Sequence, residues 1–414
     1  VISKYSWNKV VTLVIMCSLS SIYSKASQIK WSPPDTAKTG PVNSPQEDIM
    51  DVVRKIVKAK YDHDFDDSAK LKPWVFYPAI FPAVGYTLVN GGTATVSGNV
   101  SFYTDSIDVT NLSTITISPL VSTDHQFTIP VISTLWSKNN RFNFLGDWRF
   151  YKYPSYTYGL GGHTSLSNAD MIDYSYINVL QEALYHLGKN IYAGLGYNFD
   201  YHYNLQNTTT QTDYSEYNGH TLQTTSSGII AHIKYDSRTN INYPNDAFYS
   251  SILYRYNTTF LGSDNDWQAL QIELREYIKV GGVNHNNVLA FWSWNEFTFG
   301  GKVPYFDLPS TGWDTYANTG RGYIQGRYRG TSLLYLEGEY RFEILKNGLL
   351  GGVVFLNGES VPEWPENKFE TINTGEGIGL RIKMNRYSKT NLCIDYGVGN
   401  GGSRGFFFNL GEVF

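Results

Sequence analysis

From about Trp74 to the end of the chain, apolar and polar residues alternate with a period of two. Phe142, Phe144, Gly146, Trp148 and Phe150 interleave with Arg141, Asn143, Asp147 and Arg149. Ala193, Leu195, Tyr197, Phe199 and Tyr201 interleave with Gly194, Gly196, Asn198, Asp200 and His202. Leu334, Leu336, Gly338, Tyr340 and Phe342 interleave with Tyr335, Glu337, Glu339, Arg341 and Glu343. Successive side chains of a strand point to opposite faces, so each segment predicts a strand with one apolar and one polar face. A soluble sandwich strand shares this pattern. A face carrying Glu337, Glu339, Arg341 and Glu343 opposite an apolar one, however, suits a wet lumen facing lipid across the sheet.

Sixteen such segments begin near residues 77, 94, 111, 126, 141, 172, 190, 222, 247, 266, 287, 331, 348, 375, 390 and 404. Links after even-numbered strands are mostly tight, such as Lys138-Asn139-Asn140, Gly188-Lys189 and Lys346-Asn347. Links after odd strands are often long, near 154–171, 206–221, 300–330 and 359–374. Short turns on one side and long loops on the other describe an outer-membrane barrel with periplasmic turns. Lipid leaves no unpaired backbone group satisfied, which favours closure. The expected fold is all-β: a transmembrane antiparallel β-barrel of about sixteen strands over residues 74–414.

Upstream the period changes. Residues 27–73 read as a periplasmic linker holding a short amphipathic helix over about 45–60. Ser44-Pro45-Gln46-Glu47 forms a capping box with Pro at the first helical position. Ile49, Val52, Val53, Ile56 and Val57 then recur at helical spacing. That face either packs against the periplasmic end of the barrel or serves as a plug or docking helix. Residues 1–26 read as a signal peptide: Lys4 and Lys9, an apolar run from Val10 to Leu19, and Ser24-Lys25-Ala26 as the cleavage site.

Composition sharpens this. Aromatic residues make up 16% and charged residues 17%, with 33 Tyr and 38 Gly, as expected where apolarity is spread through alternation. The net charge of −4 offers no basic surface for nucleic acid. After signal removal only Cys393 remains of two cysteines, so neither a disulfide nor a cysteine zinc site is expected. Asp62-His63-Asp64-Phe65-Asp66-Asp67 reads as a solvated acidic linker rather than a metal site. The eight His are scattered at 63, 125, 163, 186, 202, 220, 232 and 285. No catalysis, metal or cofactor is expected.

Several motifs carry a more specific resemblance. Gly320-Arg321-Gly322-Tyr323, followed by Gly326-Arg327-Tyr328-Arg329, lies in the longest inferred loop, between strands eleven and twelve. Tyr235-Asp236-Ser237-Arg238 precedes Asn240, Pro244 and Phe248-Tyr249 at the eighth-to-ninth strand turn. Tyr158-Gly159-Leu160-Gly161 lies in an earlier loop, and Phe414 closes an alternating terminal segment with Phe406, Phe408 and Leu410 on one face. Together these resemble the BamA/TamA superfamily, the bacterial surface antigen family, in the branch lacking N-terminal POTRA domains. The resemblance implies that the loop with Arg321, Gly322 and Tyr323 folds into the lumen, where Arg321 meets the wall. It implies a periplasmic turn motif in Asp236, Arg238 and Pro244, and a C-terminal sorting signal in Phe414. The family's acidic wall residue is replaced by Asn357, so Glu337 or Glu339 is the alternative source of charge.

The function expected is assistance to protein insertion or translocation at the outer membrane, within a complex of other outer-membrane or periplasmic proteins. A passive channel or a structural subunit are the alternatives. Pro78 and Pro82 stand near the first strand. They either weaken its pairing with the last strand, or merely precede it.

Overall fold

The computed structural model describes residues 46–49, 51–52, 72–87, 91–207, 222–281 and 286–414, with backbone alone for 83–87 and 207. The expected signal peptide, the acidic run 62–67 and most of the expected helix lie outside these residues. Of the helix, residues 49, 51 and 52 are helical.

One antiparallel sheet runs through the rest. Its strands are β1 (Tyr77–Thr87), β2 (Gly91–Phe102), β3 (Ser113–Ile117 and Leu120–Ser122), β4 (Phe127–Trp136), β5 (Phe142–Lys152 and Ser155–Thr157), β6 (Asp170–Gly188), β7 (Ile191–Asn207) and β8 (Gln223–Asp236). They continue with β9 (Ala247–Asn257), β10 (Trp267–Val280), β11 (Asn287–Phe299), β12 (Ser332–Glu343), β13 (Leu350–Ser360), β14 (Asn373–Asn385), β15 (Thr390–Gly399) and β16 (Arg404–Leu410). Both pieces of β3 lie between β2 and β4, and both pieces of β5 pair with β6. The breaks fall at Pro119 and Pro154, which cannot donate to a ladder. Eighteen ladder segments therefore make sixteen strands, each starting close to its expected position.

The polarity of the two faces is inverted relative to a soluble protein. Leu336, Leu356, Ile378 and Leu195 are at least 60% exposed on the outer face. Asp147, Arg149, Asp200, Glu337, Glu339, Arg341, Arg381 and Asp395 are buried within. Exposed apolar and buried charged side chains on the same strands fit a barrel whose outer solvent is lipid.

Every consecutive pair of strands is joined by a ladder. β1 and β16 come within 8 Å at the Cα level, yet among the described residues no ladder joins them. Pro78 and Pro82 lie inside β1 rather than before it, and the β1–β2 register is continuous through both. An unbroken ladder cannot use a missing N–H, so both prolines direct their absent donors toward β16.

Candidate functional site

The loop joining β11 to β12 enters the lumen, as the sequence resemblance implies. Arg321 is its most buried cation, at 0% exposure. Its guanidinium donates to Asp395 on β15 at 2.6 Å and to both Glu337 and Glu339 on β12. The Phe355 ring of β13 lies 3.8 Å from its central carbon. A buried guanidinium is tolerable only when its fork is filled in this way. The three carboxylates exceed one positive charge, and two further cations, shared with a fourth carboxylate at Glu412, offset them. Arg341 pairs with Glu339 at 2.6 Å, and Arg381 bridges Asp395 at 2.5 Å and Glu412 at 2.9 Å.

Asn357 does not meet the guanidinium. Its side-chain N–H donates to the Arg321 carbonyl at 2.9 Å, so it pins the loop backbone instead. Gly322 has φ +113°, and a Cβ there would sit 2.8 Å from the Val398 carbonyl. A Cβ on the wall residue Gly397 would lie 2.7 Å from the Gly322 nitrogen. Glycine on both sides thus lets the loop backbone lie directly on β15. Tyr323 extends the contact: its hydroxyl donates to the Thr374 carbonyl at 2.5 Å and accepts from the Asn400 N–H at 2.9 Å. Farther along, Arg327 donates to the Thr164 hydroxyl at 2.7 Å, and the Arg329 carbonyl accepts from the Gly161 N–H at 2.9 Å. The Tyr158–Gly161 segment therefore meets the same loop. The loop tip folds on Asp314, which accepts from the backbone N–H groups of Tyr316, Asn318 and Thr319. Cavities of about 190 and 180 Å³ flank this tip.

The turn between β8 and β9 holds Asp236 and Arg238 as a two-bond ion pair at 2.9 and 3.0 Å, with Pro244 buried nearby. The same turn reaches across the barrel. The Asn242 amide donates to Ser101 on β2 at 3.3 Å and to Thr390 on β15 at 3.1 Å. Its carbonyl accepts from the Glu412 N–H at 3.0 Å. These partners flank the β1–β16 seam on both sides. Arg238 also receives a bond through its carbonyl, from Asn111 at 3.4 Å.

The chain end departs from the expected single face. Phe406 and Phe408 are exposed, but β16 ends at Leu410 and Gly411 turns the chain at φ +92°. Phe414 is 2% exposed and stacks on Trp292 at 5.2 Å inside the lumen. The Val413 carbonyl accepts from Asn318 of the loop tip at 2.7 Å. Glu412, which interrupts the apolar alternation, faces inward because Arg381 and Asn391 receive it there.

Sequence reasoning found Arg321, Glu337 and Glu339, and placed Asn357 beside the loop. It missed Asp395, Phe355, Arg381 and Asn242. Asp395 had a visible signal, an acid alternating with Ile394 and Tyr396 on β15.

Comparison with known families places most of this barrel in one of them. The Omp85 superfamily domain matches residues 121–414. The chain belongs to the Omp85 superfamily. Its fold is similar to that of BamA from Haemophilus ducreyi lacking POTRA domains 1-3, at 14% identity and TM-score 0.52 over 80% of this chain and 69% of that one. It is also similar to CdiB from Escherichia coli, at 9% identity and TM-score 0.52 over 83% of this chain. CdiB from Acinetobacter baumannii gives 11% identity and TM-score 0.50 over 81%. The chain spans 61% and 60% of those two CdiB chains respectively. No curated protein sequence matches. The Omp85 assignment makes this an outer-membrane β-barrel of a superfamily engaged in protein insertion or secretion.

Near the turn end, the N-terminal segment touches this Omp85 barrel. Arg386 donates its backbone N–H to Asp48 at 3.2 Å and its guanidinium to Asp51 at 3.4 Å. Glu47 accepts from Asn347 at 3.0 Å. Among the described residues, this segment packs on the β12–β13 and β14–β15 turns through polar groups.

Proposed function

We propose that this Omp85 barrel assists the insertion or translocation of other proteins at the outer membrane, working within a complex. The observation that carries the reading is the β1–β16 seam. Among the described residues, two strands lie side by side without a ladder, and two prolines remove donors from the facing edge. An edge with unpaired groups recruits a strand by β-augmentation. The seam is held instead by Asn242, whose bonds to β2 and β15 span it at the turn end.

In this reading Arg321, Gly322 and Tyr323 keep the loop seated while the seam works, with Glu337 and Glu339 as wall partners. Asn357 holds the loop backbone. Asp236, Arg238 and Pro244 shape the turn that carries Asn242. Residues 1–26 direct export, residues 27–73 link to the barrel of residues 74–414, and segment 46–52 is a docking point for periplasmic partners. Phe414 serves as the sorting signal while the chain is extended and then anchors the folded terminus.

The test is the folding rate of an unfolded outer-membrane barrel, the client, into liposomes containing the purified protein. Acceleration over empty liposomes that is lost in Arg321→Ala is the expected result. Absence of acceleration would reject autonomous insertion. The passive-channel alternative draws on the two lumen cavities, and steady bilayer conductance by the native chain would favour it.

A further inference from the structure

We propose that the lumen holds a hydrolytic site in which Ser251 is a nucleophile, His232 its general base and Glu182 the group that orients the base. The three residues lie on β9, β8 and β6. Strands β6 and β8 are next-but-one neighbours, about 9–10 Å apart. Their side chains meet because β7 presents Gly194 and Gly196 between them, the ladder partners of His232 and Glu182 respectively. A Cβ on Gly196 would lie 2.6 Å from Glu182 Cγ, so a larger residue would block the crossing.

The hydrogen bonds run in one direction. Glu182 contacts His232 Nδ1, and His232 Nε2 lies 3.1 Å from Ser251 Oγ. A carboxylate only accepts, so Nδ1 carries the proton and Nε2 accepts from the Ser251 hydroxyl. This is the nucleophile, base and orienting-acid order that acyl transfer requires. All three residues are buried, and all three line the cavity of about 180 Å³ below the loop tip. Lys234 lines it too and is the direct ladder partner of Ser251. Opposed ladder residues have Cβ atoms about 4.5–5.5 Å apart. The Lys234 ammonium is held by Asp236 at 3.5 Å and lies over the Trp136 ring, so it adds positive charge to the cavity wall without being a placed oxyanion donor.

The cavity size selects a short-chain carboxylic ester. Ser251 Oγ adds to the carbonyl carbon while its proton passes to His232 Nε2. The bond to the alcohol oxygen breaks, and His232 delivers that proton to the departing alcohol. Water then attacks the acyl-Ser251 ester, giving a proton to His232. Collapse releases the carboxylic acid, and the proton returns to Ser251 Oγ. Water is the sole co-reactant.

The experiment uses the folded full chain in detergent and a small alkyl fluorophosphonate, which loses fluoride to an activated serine. Arg321→Ala, which unseats the loop, provides an arm with an opened lumen. Heat-modifiable electrophoretic mobility verifies the fold of every variant. A phosphonyl adduct mapped to Ser251 by mass spectrometry, absent in Ser251→Ala and slowed roughly a hundredfold in His232→Gln, is the expected result. Hydrolysis of p-nitrophenyl acetate should fall in parallel. For Glu182 as a positioning residue, Glu182→Asp should recover labelling that Glu182→Gln loses. No adduct on Ser251 in either the native chain or the opened variant would overturn the proposal. So would an adduct whose rate is indifferent to His232→Gln and Glu182→Gln, since that serine would be merely accessible.

Discussion

The Arg321 latch and the β1–β16 seam both join parts of the chain remote in sequence, and they use opposite materials. At the latch, one guanidinium meets three carboxylates and an aromatic ring, with every partner buried. At the seam, two strands run together without a ladder among the described residues, and the neighbouring strands share one asparagine amide. A fully desolvated charge cluster resists partial opening, because each exposed intermediate leaves a charge unpaired. A side-chain clasp opens by losing a few neutral hydrogen bonds. The barrel is thus held by buried charge at the latch and by a neutral clasp at the seam.

Breaking the latch should have the largest effect. Arg321→Ala strands Glu337, Glu339 and Asp395 together and should cost about 3–5 kcal/mol of loop seating. Protease cleavage within residues 300–331 should become rapid in folded protein. The next effect belongs to the clasp. Asn242→Ala removes both seam-spanning amide bonds and should loosen the turn end by about 1–3 kcal/mol. Amide hydrogen exchange in β1 and β16 should quicken, while exchange in β12–β14 stays as it was. The smallest change runs the other way. Pro82→Ala restores one edge donor and should tighten the seam by about 0.5–1.5 kcal/mol, read as slower exchange in β16. If Asn242→Ala and Pro82→Ala moved the latch as much as the seam, the two junctions would not be separable.

The sequence exposed the fold well because alternation reports faces directly, and the lipid-facing side is mainly apolar. The Pro119 and Pro154 breaks are also written in the chain, as residues without a donor. The Arg321 motif was legible because its glycines and arginine are contiguous. Its partner Asp395 was not singled out. Which lumenal acids stand level with the loop depends on strand stagger, which a two-residue period leaves open. Asn242 was invisible for a similar reason: it acts across the full width of the barrel, on residues 141 and 148 positions away. The Phe414 face was misjudged because alternation cannot signal that Gly411 turns the chain inward. His232 looked isolated among scattered histidines. Only the bare glycines of β7 bring it to Glu182.

In the proposed function, client strands enter through the seam. Cysteines placed at facing positions of β1 and β16, in a Cys393→Ser background, would join the two strands on oxidation. The decisive measurement is the client folding rate with this bond formed and then reduced in the same liposomes. Arrest when oxidised and recovery on reduction is the result predicted. An unchanged rate with the seam locked would contradict it and leave the barrel working through its lumen or its partners.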